Sequence, residues 1–163
     1  KKSIISDASK NSKRLEALLL STSLKVRVIY LVRDGRAIVH AYLRKYKSCW
    51  PGLFNLISTD HAARRLMAKY GSENWLTVRY EDLATDLEGT LRNICSFSKI
   101  NYESLMLHPD TSNFNGLGGN RLIKRPIDKI ILDNVWQTEM PRIARFFTSI
   151  MVSKFNRRHG YKN

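Results

Sequence analysis

The chain has 163 residues and a mass of 18.9 kDa, the size of one ordinary domain with room for a substantial core. Lys and Arg number 28 against 14 Asp and Glu, giving a formal charge of +14, so a polyanionic or phosphate-bearing partner is the first expectation. Hydrophobic residues make up 43% and aromatics 10%, which excludes a disordered basic tail. The chain opens at Lys1 on a strand-like run, which leads to the expectation that the natural protein begins earlier. No charged-then-apolar leader is visible, and the longest apolar run, around Val28 to Val32, is too short to span a membrane. Cys49 and Cys95 are too few for a disulfide framework and lack metal-ligand spacing, so no metal is expected and a reducing compartment is allowed.

In chain order, Ser3 to Ser6 reads as a strand, Asp7 to Lys10 as a turn, and Arg14, Leu15, Leu18 and Leu19 recur at helical spacing within a helix from Lys10 to Leu20. Val26 to Val32 is rich in β-branched residues and predicts a central parallel strand buried on both faces. Arg33-Asp34-Gly35-Arg36 ends that strand, with Asp34 as N-cap of a helix through Ala37 to Leu43. Cys49-Trp50-Pro51-Gly52 reads as a turn or loop, and His61 to Tyr70 as a helix closed by Gly71. Trp75 to Tyr80 is the third strand. Glu81-Asp82 opens one long helix whose Leu83, Leu87, Leu91, Ile94 and Cys95 share a face, which makes Cys95 a core residue. His108 to about Pro126 is a long Asn-, Gly- and Ser-rich loop, and helices return from about Asp133 to Phe147 and towards Phe155. Alternating strands and helices predict one α/β domain over 1–163, a three-layer fold with a mostly parallel sheet flanked by helices.

In such sheets, ligands bind beyond the carboxyl ends of the strands, where helix N-termini offer N–H groups. Arg33 stands there, and a guanidinium binds phosphate oxygens bidentately at any working pH. The alternative is that Arg33 or Arg36 pairs with Asp34 or Glu81 on the surface.

The segment from Val28 to Leu43, with Arg33-Asp34-Gly35-Arg36 at its centre, resembles the 3′-phosphate-binding strand, loop and helix of sulfotransferases that use 3′-phosphoadenosine 5′-phosphosulfate, particularly the carbohydrate and bacterial branches. Val78-Arg79-Tyr80-Glu81-Asp82-Leu83 is similar to the family's Arg-Tyr-Glu-Asp-Leu segment. Gly119-Asn120-Arg121, followed by Trp136, resembles its C-terminal cofactor loop and helix. The resemblance covers nearly the whole chain and implies the C-terminal portion of a nucleotide-kinase-like fold, without the family's first strand and phosphosulfate loop. It also implies a metal-free enzyme that moves a sulfuryl group from that co-substrate to a hydroxyl or amine of a carbohydrate, lipid or small molecule.

By position, the resemblance makes Arg33 the grip on the 3′-phosphate, Tyr80 an adenine neighbour, and Gly119, Asn120 and Arg121 a loop closing over the same phosphate. Their alternatives are a core tyrosine for Tyr80 and a solvated loop arginine for Arg121. Asp7 and Lys10 fall where family members carry residues near the acceptor, so Asp7 is the candidate base and Lys10 the candidate cation. An N-cap role competes for Asp7. The family's serine eight residues beyond the strand-end arginine is here Ala41, which removes one hydrogen bond to the phosphate unless His40 or Tyr42 replaces it. No G-x-x-x-x-G-K-[ST] pattern occurs, and Gly116-Leu117-Gly118-Gly119 follows no strand, so the chain carries half of a cofactor site. His61, His108 and His159 read as solvated. The basic residues are spread over several helices without interleaved aromatics, so no dedicated nucleic-acid binding is expected. The competing function is a non-catalytic basic module that binds polyanions such as sulfated glycans or nucleic acid.

Overall fold

Two short parallel strands organise the fold in the computed structural model, which describes residues 4–108 and 130–162. Strand β1 (Val28–Val32) pairs with β2 (Trp75–Arg79) in a register that sets Val28 opposite Trp75 and Val32 opposite Arg79. Helix α1 (Ser12–Leu20) precedes β1, and α2 (Gly35–Tyr46) and α3 (Trp50–Tyr70) make the crossover to β2. After β2 come α4 (Tyr80–Thr85), α5 (Leu87–Ser98), a 3₁₀ turn (Ser104–Leu107), α6 (Trp136–Glu139) and α7 (Arg142–Arg158). The α/β class and the parallel pairing agree with the sequence.

One core cluster joins Val32 and Val39 to Leu53 and Leu56 of α3, Val152 and Phe155 of α7, and Tyr161. A second gathers Ala63, Leu66 and Trp75, with Leu15, Leu19 and Val28 packed against it. Cys95 is buried, as its helical face predicts.

Several expectations need correction. Residues 4–11 form no strand, and Ile4 and Ile5 are exposed, with no partner edge among the described residues to satisfy their backbone. The first helix begins at Ser12, because Asn11, not Asp7, accepts from the N–H groups of Lys13 and Arg14. β1 is buried on one face only; Ile29 and Leu31 are exposed because nothing among the described residues covers their side. Trp50-Pro51-Gly52 is no turn but the start of α3. Proline suits a first helical turn, where its missing N–H costs nothing, and a Cβ on Gly52 would lie 2.8 Å from Tyr42 Cβ, so glycine lets α2 and α3 touch. The long helix after β2 is two helices, since Asp86 leaves the helical region and caps α5 through the Gly89 N–H. Likewise Met140 and Pro141 separate α6 from α7.

Asp60 ties α7 to the middle of α3. It is 4% exposed, receives Arg64 Nε at 3.0 Å and Arg158 Nη1 at 2.5 Å, and lies 3.0 Å from His159 Nε2. His159 is therefore a part-buried partner of this carboxylate and not a solvated side chain. Burial pushes the Asp60 carboxyl up, but the bonds from His159 and Arg64 and the charge of Arg158 outweigh it, so the group sits below the ordinary Asp range. A depressed native pKa stabilises above the unfolded value and is lost as pH falls through and below it. Asp60→Asn should lower the unfolding free energy by about 3 kcal/mol near neutrality. In urea denaturation the gap between wild type and variant should shrink towards about pH 3; an equal gap at both pH values would contradict this account.

Candidate functional site

The strand register builds the site. Because Val32 faces Arg79, the first residues beyond the two strands, Arg33 and Tyr80, must be neighbours at the carboxyl end of the sheet. The Arg33 guanidinium carbon lies 4.7 Å from the centroid of the Tyr80 ring, a cation–π contact that fixes the direction of a long side chain. Arg33 Nη2 donates to the Asp133 carbonyl at 2.7 Å and pairs with the Asp133 carboxylate at 3.1 Å. The Tyr80 hydroxyl donates to the Ile131 carbonyl at 2.6 Å, so residues 131–133 run across both side chains. Arg33 Nε is buried and lacks a hydrogen-bond partner among the described residues. An uncommitted donor on a fixed guanidinium is what an incoming oxyanion needs.

Arg36 is spent differently. Its guanidinium grips the Asp34 carboxylate through Nε and Nη2, the latter at 2.6 Å, donates to the Lys162 carbonyl, and lies 4.5 Å from the centroid of the Trp136 ring. Of the two arginines, Arg36 is the one that pairs with Asp34, whereas Arg33 pairs with Asp133. Asp34 caps α2 as expected, accepting from the Arg36 N–H at 2.8 Å. The Asp34 N–H donates to Glu81 Oε1, and Glu81 Oε2 accepts from the Tyr161 hydroxyl at 2.6 Å. Burial and then the Glu81 contact push the Tyr161 hydroxyl well above its usual pKa, so it stays a donor. Burial raises the Asp133 carboxyl, yet the hydrogen bonds from Arg33 and from the Val135 N–H carry it below the Asp range, so it is ionised beside Arg33.

Gly119, Asn120 and Arg121 lie outside the described residues, as does most of the long loop from His108 to about Pro126. Asp7 and Lys10 lie on the irregular segment before α1 and share no hydrogen bond or ion pair with Arg33 or Tyr80. Asp7 accepts from Arg14 Nε at 2.5 Å and from the Ser9 N–H at 2.9 Å, which holds its pKa at about 2. Ala41 is exposed. His40 is buried 3.9 Å from Glu139, and the Tyr42 hydroxyl accepts from Asn55, so neither neighbour is aimed at Arg33 by these contacts. Two open concavities of about 480 and 470 Å³ lie elsewhere, one against Lys154, Arg157 and Arg158 and one against Arg64 and Gly71. They are shallow gaps between long surface side chains, and Arg158 is already committed to Asp60, so the strand ends remain the better site.

Residues 9–104, more than half of the chain, match the sulfotransferase family. The chain belongs to that family. A solved sulfotransferase domain from the curacin biosynthetic pathway superposes with a TM-score of 0.58 at 18% identity, over 83% of this chain and 54% of that one. At that identity the likeness speaks for the fold, and the sulfotransferase chain spans about half the length of that domain. No curated protein sequence matches it.

Arg33 and Tyr80, expected at strand ends, are neighbours in the structure, whereas Asp133 and Asn156 beside them were not anticipated from the sequence. Asn156 had a signal, an amide beside the apolar positions Val152 and Phe155 of one helix face. Asp133 had none, since its partner lies 100 residues away. Asp133→Asn should free the guanidinium of a competing carboxylate. Calorimetric titration with inorganic pyrophosphate should then show binding tighter by about fivefold; unchanged or weaker binding would mean that Asp133 does not compete for Arg33.

Proposed function

We propose that the protein is the cofactor-binding part of a sulfotransferase that draws its sulfuryl group from 3′-phosphoadenosine 5′-phosphosulfate and delivers it to a hydroxyl or amine of a carbohydrate, lipid or small molecule. The observation that carries this is Arg33, a guanidinium fixed against an aromatic ring at the carboxyl end of a parallel strand, with its Nε unclaimed among the described residues. A 3′-phosphate carries a charge of about −1.5 to −2 near neutrality, and the +14 chain supplies a field that attracts it. In this reading Arg33 holds the phosphate and Tyr80 borders the base. Gly119, Asn120 and Arg121, which lie outside the described residues, are assigned to the same phosphate by the family resemblance alone.

In the transfer, the acceptor oxygen or nitrogen bonds to sulfur while the bond from sulfur to the bridging phosphate oxygen breaks. The products are the sulfated acceptor, a proton and 3′,5′-adenosine bisphosphate. Asp7 enters as the base and Lys10 as the cation that stabilises the leaving phosphate. With Arg14 on its carboxylate, Asp7 is a weak base near neutrality, so the role requires Arg14 to turn away as the acceptor arrives. Metal ligation has no part in the proposal. The net charge alone also favours a second reading, a non-catalytic binder of sulfated glycans or nucleic acid.

Calorimetric titration with 3′,5′-adenosine bisphosphate separates the two. The sulfotransferase reading expects stoichiometric binding that Arg33→Ala weakens by about tenfold or more, the loss of a charge-assisted contact. A polyanion binder would instead take heparin with an affinity that falls steeply with salt and would ignore the Arg33 substitution.

A further inference from the structure

Asn156 is the most deeply buried polar side chain near Arg33, with no exposed surface, although it belongs to α7 at the far end of the sequence. Its Oδ1 accepts from the Gly35 N–H at 2.9 Å, and its Nδ2 donates to Asp34 Oδ1 at 3.2 Å. A buried amide is costly unless both of its ends are satisfied, and here both are spent on one turn. Packing does not need an amide at this position, because Val152 and Phe155 already seat α7 on the core. An aliphatic side chain would fill the space and leave the Gly35 N–H orphaned.

That turn is fixed from every side. Asp34 also receives the Arg36 N–H and the Arg36 guanidinium, and its own N–H is held by Glu81, which Tyr161 holds in turn. Gly35 sits so close to α7 that a Cβ would lie 2.9 Å from Val152 Cβ and 3.0 Å from Asn156 Oδ1. The consequence falls on the residue just before. Arg33 has a paired strand on its N-terminal side and an immobilised turn on its C-terminal side, so its Cα and its exit direction are set by both. There is also a negative consequence. The N–H groups of Gly35 and Arg36, the first two of α2, are taken by Asn156 and Asp34, so these two helix-terminal amides are not free for an anion beyond β1 and the Arg33 side chain carries more of its recognition.

We propose that Asn156 is a positioning residue: by clamping the Asp34–Gly35 turn it holds the Arg33 guanidinium where a nucleotide 3′-phosphate is recognised, a role that rests on the function proposed above. The benefit is preorganisation, since a guanidinium already aimed at the phosphate loses less freedom when the ligand arrives.

The test is the preference for 3′,5′-adenosine bisphosphate over 5′-AMP, which lacks the 3′-phosphate, measured as the ratio of dissociation constants with the melting temperature recorded alongside. Wild type should prefer the bisphosphate and Arg33→Ala should remove the preference. Asn156→Ala should cut it by about tenfold while leaving 5′-AMP binding little changed. Leu66→Ala, a truncation in the other core cluster, should lower the melting temperature without altering the ratio. Should Asn156→Ala not fold, Asn156→Asp keeps the shape but puts a carboxylate against Asp34, and it should reduce the same ratio. An Asn156 variant that folds and keeps the wild-type ratio, while Arg33→Ala loses it, overturns the positioning role and leaves the functional proposal standing. A wild type without any preference overturns both.

Discussion

The parallel pairing of two five-residue strands is the constraint from which the site follows. Once Val28 to Val32 lies in register with Trp75 to Arg79, the next residue of each strand has no freedom to be elsewhere, and Arg33 meets Tyr80. The register rests on burial, since Val32 and Val78 are nearly inaccessible and a slip by one residue would turn them outward. A contact between positions 47 residues apart, Arg33 and Tyr80, is thus a by-product of apolar packing one residue upstream.

Two arginines three positions apart have been given opposite tasks. Arg36, between Asp34 and Trp136, has its charge neutralised and its donors shared among a carboxylate and a carbonyl, which makes it part of the scaffold. Arg33 is held by its ring contact and by Asp133, a partner whose carboxylate is about half exposed and can be exchanged for another anion. The C-terminal helix makes this division possible. Its Asn156 reaches back to the turn, the following Tyr161 holds the Glu81 carboxylate that accepts from the Asp34 N–H, and Asp60 anchors its last turn to α3. The end of the chain therefore sets the geometry of a loop formed near its beginning.

What the sequence disclosed was local chemistry. The β-branched run before Arg33, the Asp34 cap, the apolar face that buries Cys95 and the placement of Arg33 and Tyr80 at strand ends all depend on residues near one another in the chain. The errors arose where a long-range partner decides the outcome. Ser3 to Ser6 has strand composition, but a strand needs an edge to pair with, and Ile4 and Ile5 find none among the described residues. Trp50-Pro51-Gly52 carries turn residues, yet Gly52 is there for the approach of Tyr42 from another helix. His159 looked solvated at a helix end because nothing in its neighbourhood foretells Asp60. Asp7 caps no helix, because Asn11 stands at the start of α1, and its carboxylate accepts instead from Arg14 and the Ser9 N–H.

The proposed function puts recognition of a nucleotide phosphate on one guanidinium, that of Arg33 at the end of β1. The most direct measurement is a crystal structure with 3′,5′-adenosine bisphosphate bound. The account predicts a 3′-phosphate oxygen at hydrogen-bonding distance from Arg33 Nε, with the base beside Tyr80 and Asp133 displaced from the guanidinium. A nucleotide bound at any other surface, with Arg33 still on Asp133, would contradict it.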